Sequence, residues 1–250
     1  MKVIPLKLGT LHMRQESIFG RGFPADEFID VPVWSVLIEH EDGVVLVDTG
    51  CCQIPHGIPE NEGVLTYSDE DVITRRLAQY GHSPDDISHV IMTHLHIDHA
   101  GNLHIFKNAS IYVDEAEYVE TMYNYGHRII MGGTPRSQLD LWSDDLRFEP
   151  LRRERTELLR GVTAVRFPRG HAFGSLAILF EGKRNILIAS DLAYTKSAFD
   201  RNPPVIVTDT EGYFAGLDKL SALAAEFSAE IWYGHDPEQF AAINGKTFVL

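Results

Sequence analysis

The sequence predicts an α/β protein, an αββα sandwich in which two central mixed sheets pack face to face and helices flank them. Strand-then-helix order occurs in both halves of the chain, and each half also contains a hairpin pattern. A length of 250 residues suits one large α/β domain with a substantial buried core. We therefore expect a single domain over residues 1–250.

The chain begins with a strand, a loop and a hairpin. Residues 3–8 predict the first strand, and the glycines, proline and aromatics of residues 13–29 predict an irregular segment. Residues 32–40 and 44–48 are rich in β-branched residues and are joined by a Glu-Asp-Gly turn. That pattern predicts two antiparallel strands.

A loop and a helix lead from this hairpin to the next strand. Residues 51–66 are rich in Pro and Gly and predict a loop. Ser68 and Asp71 have capping-box spacing and predict a helix that Gly81 closes. Residues 87–93 then predict a strand.

The middle of the chain is predicted less completely. Residues 109–113 predict a strand, and Asp114 caps a predicted helix over residues 115–123. Residues 126–155 show no clear pattern, so we expect an insertion or a lid there.

The second half is predicted to consist mostly of strands. A helix over residues 211–227 places Leu217, Leu220 and either Leu223 or Ala224 on one face. The predicted strands are residues 162–167, 175–180, 185–190 and 231–233.

Composition restricts the partners and the compartment. Asp and Glu outnumber Lys and Arg by 36 to 22, and the net charge of −14 argues against a nucleic-acid partner. No apolar run reaches the ~20 residues of a membrane span, and the start lacks a signal-peptide pattern. The only cysteines, Cys51 and Cys52, are adjacent, which gives no disulfide framework. We therefore expect a cytoplasmic enzyme.

Four residues that can bind metal, three histidines and one aspartate, occur within six positions directly after the strand at residues 87–93. The motif is His94-Leu-His96-Ile-Asp98-His99. Imidazole and carboxylate together suit Zn²⁺, Fe or Mn²⁺. The motif is difficult to explain by packing, so we predict the centre of a metal site here.

Three further candidates stand directly after predicted strands. His171, Asp191 and His235 share this placement with the first cluster, and that shared placement makes all three candidate ligands. The other seven histidines lack it, and His104 and His127 are the strongest candidates among them.

With these residues and Asp48-Thr49-Gly50 upstream, the sequence resembles the metallo-β-lactamase superfamily. The resemblance implies two divalent metal ions, zinc first, with iron, manganese or cobalt as alternatives. It implies that one ion is bound by His94, His96 and His171 and the other by Asp98, His99 and His235, with Asp191 bridging both and Asp48 orienting a ligand.

Within the superfamily the chain is most similar to the N-acyl homoserine lactone lactonases. Three stretches carry this similarity, namely Pro32-Val-Trp, Asp191-Leu-Ala-Tyr194 and Tyr233-Gly-His-Asp. The bridging aspartate sets the chain apart from the true β-lactamases, which lack it. Flavodiiron members carry Glu at the position of His96, and tRNA-processing members need a nucleic-acid surface that the negative charge disfavours.

The resemblance also implies a mechanism for a small lactone or ester substrate. A hydroxide shared by the two ions would attack the ring carbonyl, Tyr194 would hydrogen-bond the developing oxyanion, and Asp98 would pass a proton to the leaving group. For the acyl chain, the candidate apolar residues in loops around the site are Phe19, Phe23, Ile54, Ile58, Leu65 and Phe173.

One segment departs from the family pattern, so other functions stay open beside the lactonase. The family's Thr-Pro-Gly-His-x-x-Gly-His is replaced at residues 167–175, where Arg169 is inserted and Ser175 takes the place of the second His. The alternatives are a hydrolase of another ester, thioester or catabolic lactone, and a metal-dependent binding module without turnover. A glutathione thioesterase should carry a cluster of basic residues, for which only the arginines near residues 152–160 are candidates. A homodimer is left open.

Overall fold

The computed structural model describes residues 1–51, 63–202, 204 and 206–250, and it confirms the predicted sandwich of two mixed sheets with helices. The strands are β1 Lys2–Arg14, β2 Phe28–His40, β3 Gly43–Val47, β4 Gly63–Thr66, β5 Ile87–Ile91, β6 Ser110–Asp114, β7 Arg147–Leu151, β8 Arg155–Leu159, β9 Val162–Phe167, β10 Ser175–Phe180, β11 Ile186–Ser190, β12 Glu230–Tyr233 and β13 Phe248–Val249.

The helices lie between and after these strands. The α-helices within the described residues are α1 Gln15–Phe19, α2 Ile73–Ala78, α3 Ile97–Ala100, α4 Glu115–Gly126, α5 Arg136–Leu139, α6 Lys196–Phe199, α7 Thr210–Phe227 and α8 Pro237–Ile243, and single 3₁₀ turns occupy Asp69–Asp71, Pro84–Asp86 and Leu103–Ile105. None of the helices in the described part of the chain is long and apolar enough to cross a membrane.

The strand order brings the polar loops to one edge of each sheet. In the larger sheet the order is β13-β1-β2-β3-β5-β6-β7, with β4 on β1, and β3, β5, β6 and β7 are parallel. In the smaller sheet the order is β12-β11-β10-β9-β8, and β11 and β12 are parallel. Because parallel strands end at the same edge, the segments after β3 and β5 lie side by side, as do those after β11 and β12.

The two sheets bury a shared apolar layer. Val36 and Val45 from the larger sheet pack in one cluster with Ile178 and Ile188 from the smaller sheet. The buried indole of Trp34 also belongs to this layer, and its N–H donates to the carbonyl oxygen of Gly234, directly before His235. The packing of the sheets is therefore linked to the position of a site residue.

Two further apolar clusters attach the helices. Leu37 and Leu46 on the outer face of the larger sheet pack with Ile73 and Leu77 of α2. On the smaller sheet, the cluster includes Leu217, Leu220 and Leu223 of α7, which confirms the predicted face of that helix.

The prediction for residues 13–29 was wrong over part of its length. β1 extends to Arg14 and pairs with β2 as far as Arg14↔Phe28, and α1 occupies Gln15–Phe19. Pairing with a neighbouring strand outweighed the local glycine and proline signals. Of the predicted loop at residues 51–66, residues 52–62 lie outside the described residues, and Gly63–Thr66 forms β4 against β1.

Residues 126–155 hold elements that the sequence pattern did not predict. They contain α5 and β7, and β8 begins at Arg155. β7 is the edge strand of the larger sheet and carries Pro150, which an edge strand tolerates but which obscures a strand pattern.

The layer between the sheets predicts a specific stability effect. Ile178 is 0% exposed, and an Ile178→Ala substitution should lower the free energy of unfolding by about 2–5 kcal/mol, because it removes buried methyl groups and leaves a cavity. The matched control is Ile130→Ala, the same change at a side chain that is 96% exposed, and it should stay within about 0.5 kcal/mol. Urea unfolding of both variants measures the difference, and equal losses would contradict this description of the core.

Candidate metal centre

The motif after β5 folds into a loop and one turn of helix. His94 and His96 lie in the loop, while Asp98 and His99 lie on α3. The turn is held against the hairpin, because the N–H of Thr49 and its hydroxyl both donate to the carbonyl oxygen of His99. This motif therefore packs directly on the segment that follows β3.

The structure brings all seven predicted metal-binding residues, called donor residues below, to one place, where they form two groups. The donor atoms of each group lie within 4.8 Å of one another. The first group is His94, His96, His171 and Asp191, and the second is Asp98, His99, Asp191 and His235. His104 and His127 belong to neither group.

Asp191 divides its two oxygens between the groups. Oδ2 lies 3.2 Å from His171 Nε2 and 3.7 Å from His94 Nε2. Oδ1 lies 3.2 Å from His235 Nε2 and 3.4 Å from His99 Nε2. This is the arrangement that a bridging carboxylate requires.

Backbone geometry after β11 and β12 makes this approach possible. Ser190, directly before Asp191, has a left-handed φ of 48°. A Cβ at Gly234 would lie 2.5 Å from Asp191 Oδ1, so only glycine lets the His235 segment pass so close to the carboxylate.

Hydrogen bonds on the far side of two rings fix their tautomers. His99 Nδ1 donates to Asp48 Oδ2 at 2.8 Å, and His235 Nδ1 donates to the carbonyl oxygen of Pro32 at 2.9 Å. Since both partners can only accept, each Nδ1 carries a hydrogen, and in a neutral ring Nε2 then presents its lone pair to the site. Asp48 also accepts from the N–H and the hydroxyl of Thr93, next to His94. The family resemblance implies that Asp48 orients a ligand, and its contacts with His99 and Thr93 are consistent with that role.

Several buried polar atoms point into the site without a hydrogen-bond partner among the described residues. They are His94 Nε2, His99 Nε2 and Asp191 Oδ1. Leaving such atoms unpaired is costly, typically ~1–3 kcal/mol each. Imidazole nitrogens and carboxylate oxygens are also the donors that Zn²⁺ and related ions prefer, so the residues present fit a pair of divalent ions.

Electrostatics also favour cations in this site. Burial alone would raise the pKa of Asp191, but His235 and His99 hold that pKa well below its usual value. Burial and, after it, the neighbouring His171 lower the pKa of His96 to about 3, so the ring is neutral as a ligand must be. Burial opposes a charge on His235, yet Asp191 and Asp98 raise its pKa to about 10. The carboxylates are thus stabilised by positive partners. Metal ions can replace the protons on the histidines in that role.

Tyr194 lies beside both groups. It is buried in the turn after β11, and its hydroxyl lies 3.3 Å from His171 Nδ1. The turn is fixed by the carbonyl oxygen of Tyr194, which accepts from the N–H of His235. Burial, followed by the charges of Asp191 and Asp98, raises the pKa of Tyr194 well above its usual value, so the hydroxyl keeps its proton.

A cavity of about 510 Å³ opens onto the two groups. Its polar end is formed by His96, Asp98, His171, Asp191, Tyr194 and His235. Its apolar walls are Leu11, Met13, Ile18, Ile97, Ile130, Met131, Ala172, Phe173, Ile206 and Val207.

Only part of this wall was predicted from the sequence. Phe173 lines the cavity, whereas Phe19 and Leu65 pack against the core, and Phe23 is not among the residues of the wall. Ile54 and Ile58 lie outside the described residues. The inserted Arg169 is exposed, and its guanidinium lies 4.9 Å from the centre of the Phe173 ring.

Glu117 was missed by the sequence analysis. Its carboxylate is buried and accepts from the N–H groups of Leu95, Phe173 and Gly174. Burial raises the pKa of Glu117 to about 7, although these N–H groups act in the opposite direction. The signal in the sequence was the spacing of Glu117, Thr121 and Asn124, which gives α4 a buried face of polar residues.

Comparisons with known proteins agree with this geometry. The family model of the Metallo-beta-lactamase superfamily matches residues 29–227. An N-acyl homoserine lactonase AiiB from Agrobacterium fabrum is 32% identical over 88% of this chain and 84% of its own length. An N-acyl homoserine lactonase from a Bacillus species is 30% identical over 85% of this chain and 84% of its own length.

One solved structure is similar to this chain over almost the whole length of both. It is an N-acyl homoserine lactone hydrolase with the product N-hexanoyl-L-homoserine bound at its catalytic metal center. Its TM-score is 0.83 at 25% identity, and the match covers 96% of this chain and 95% of the other.

The two donor groups predict that stability depends on metal. Zn²⁺ restored to chelator-treated protein should raise the melting temperature, because each ion at 100 times its Kd adds about 2.7 kcal/mol. The expected stoichiometry is two ions per chain, measured by elemental analysis beside a calorimetric melt. Asp42→Asn is the control, since Asp42 is exposed and belongs to a separate group with His40 and Glu41, and it should leave the stoichiometry at two. An unchanged melting temperature with and without Zn²⁺ would contradict the metal centre.

Proposed function

This chain belongs to the metallo-beta-lactamase superfamily, and within it we propose that the protein hydrolyses N-acyl homoserine lactones and thereby quenches quorum-sensing signals. The curated relatives carry the name of this activity. The observation in this chain that carries the proposal is the cavity that joins a polar end at both donor groups to apolar walls.

The cavity matches the two chemical halves of such a substrate. The lactone ring and amide are polar and belong at the end where Asp98, Tyr194 and His235 lie. The acyl chain is apolar and belongs against the walls formed by Met13, Ile18 and other apolar side chains. Burying each methylene of the chain contributes about 0.8 kcal/mol, so the walls favour substrates with a tail.

The seven donor residues would hold two divalent ions, and zinc is our first choice. His94, His96 and His171 would bind one ion, and Asp98, His99 and His235 the other, with Asp191 shared between them. Divalent ions bound there supply Lewis acidity, which polarises an ester carbonyl and lowers the pKa of water.

Tyr194 is proposed to stabilise charge on the carbonyl oxygen. Its hydroxyl remains protonated at neutral pH and lines the cavity, so it can donate a hydrogen bond to that oxygen as negative charge develops. The ring is held in place between the imidazoles of His171 and His235, with 5.2 Å from its centre to each. A donor fixed in this way does not have to reorganise during the reaction.

Asp98 is proposed to carry the proton. In ring opening, the oxygen of a water bonds to the carbonyl carbon, the ring C–O bond breaks, and the ring oxygen leaves as a hydroxyl after it takes a proton. Asp98 lines the cavity and is the more exposed of the two carboxylates in the second group. It can accept the proton from the water and deliver it to the ring oxygen.

Three broader expectations belong to the same proposal. Residues 1–250 form one domain, which the apolar layer shared by both sheets supports. The protein works in the cytoplasm, which its adjacent cysteines favour. Its partner is a small lactone.

The first test is ring opening of N-butanoyl and N-decanoyl homoserine lactone by zinc-loaded protein, followed as proton release in weak buffer. We expect turnover of both lactones, and His96→Ala and Asp191→Asn should each abolish it because each removes a donor residue. Two bound ions without turnover of either lactone would contradict the substrate assignment while leaving the metal centre in place. The substrate would then be another ester or lactone admitted by the changed wall near Arg169.

Tyr194→Phe should lower kcat by roughly 10²–10³ while both ions stay bound, because it removes one hydrogen-bond donor to the developing oxyanion. Tyr118→Phe is the matched control, since Tyr118 packs on Phe148 away from the cavity, and its kcat should not change. Steady-state kinetics and metal analysis of the two variants make the comparison. Full turnover by Tyr194→Phe would remove the hydroxyl from the mechanism.

A further inference from the structure

The peptide between His94 and His96 is held on both sides by buried side chains. The N–H of Leu95 donates to Glu117 Oε1 at 3.0 Å. The carbonyl oxygen of Leu95 accepts from Thr134 Oγ1 and from Gln138 Nε2, each at 3.1 Å. The backbone of Leu95 is therefore fixed at its N–H by α4 and at its carbonyl oxygen by the segment that contains α5.

Glu117 also holds the loop that carries His171. Its second oxygen, Oε2, accepts from the N–H of Phe173 at 2.9 Å and from the N–H of Gly174 at 3.3 Å. One carboxylate thus connects two loops that are distant in sequence, and each loop carries residues of the first donor group.

Gly174 allows the second loop to reach α4. A Cβ at Gly174 would lie 2.2 Å from Asp114 Oδ1, at the start of α4. Asp114 is itself fixed there, because it caps α4 and accepts from the guanidinium of Arg166. The close approach of the loop to Glu117 is therefore built into the chain.

Packing alone does not explain a carboxylate at this position. Glu117 is 1% exposed, and no cationic side chain of the described residues contacts it in an ion pair. A buried ionised group without a counter-ion is costly, and an apolar side chain of similar size would usually serve packing as well or better. What an apolar side chain cannot do is accept hydrogen bonds from the backbones of both loops.

We infer that Glu117 is a positioning residue of the metal centre, which fixes the loop of His94 and His96 relative to the loop of His171. Thr134 and Gln138 complete the restraint from the carbonyl side of Leu95. The inference rests on the proposed ligand roles of these three histidines. Partners of this kind that orient ligands typically contribute about 10–100-fold to metal affinity.

The test is Glu117→Gln, which preserves the size of the side chain. Its single carbonyl oxygen can accept from one loop, while its NH₂ faces a backbone N–H of the other loop and repels it. We expect one of the two zinc ions to bind about 10–100-fold more weakly and the other to keep its affinity. Competition with a chelating dye, in the absence of substrate, measures the two affinities.

Glu120→Gln is the matched control, because it makes the same change at an exposed position of the same helix and should leave both affinities unchanged. If Glu117→Gln fails to fold, Thr134→Val supplies the second variant, since it removes one hydroxyl donor from the Leu95 carbonyl with little change of shape. It should weaken the same ion about 10-fold.

The outcomes separate this inference from the proposed function. Wild-type affinities in Glu117→Gln and Thr134→Val, even with a lower melting temperature of the metal-free protein, would show a purely structural role and overturn the inference. Loss of one ion in Glu117→Gln would support it, whether or not the wild-type protein opens homoserine lactones. Failure of the wild-type protein to bind zinc would overturn both.

Discussion

The carboxylate of Asp191 is the point on which both halves of the site depend. Each of its oxygens faces a different set of imidazoles, so its position fixes the distance between the two donor groups. It stands at the end of a strand in the interior of the smaller sheet, where neighbours on both sides restrict its movement. The left-handed backbone at Ser190 and the absence of a side chain at Gly234 are the local conditions for that position.

The larger sheet orients the imidazole rings of His99 and His235. The hairpin that the sequence predicted supplies the carbonyl oxygen of Pro32 for His235, and Asp48, directly after β3, supplies a carboxylate for His99. The buried contact of Trp34 with Gly234 connects the same hairpin to the segment of the smaller sheet. The packing of the two sheets is thus also the means by which the candidate donor atoms of the site converge.

The site was easier to predict than its surroundings. His94, Asp191 and His235 follow strands, and the residue types are rare enough in that placement to mark them from sequence alone. Glu117 could not be found in this way, because a glutamate within a helix is ordinarily a solvated residue. Its importance depends on contacts with Leu95 and Phe173, which are distant in sequence.

The fold was predicted where the pattern is local. Strands β9 to β12 of the smaller sheet and the buried face of α7 follow from hydrophobic periodicity, and the hairpin follows from its turn, whereas β8 was not predicted. The extension of β1 to Arg14 and the edge strand with Pro150 depend on pairing between distant segments, so local propensity could not reveal them. The sequence left residues 126–155 as an insertion or a lid, and part of that segment supports the loop of the first donor group.

The parts of the cavity wall differ in how closely they contact the segments that carry the donor residues. Residues 11–18 form wall without supplying any of the donor residues, whereas residues 130–133 and 206–208 contact the segments that do, since the carbonyl oxygen of Ile206 lies 3.3 Å from His171 Nδ1. The carbonyl oxygen of Gly133 accepts from the N–H of Ile97, and a Cβ there would lie 2.6 Å from the ring of His96. Over evolutionary time, a preference for a new tail can therefore arise through residues 11–18 without disturbing hydrolysis, while a change around Gly133 or Ile206 alters selectivity and reactivity together.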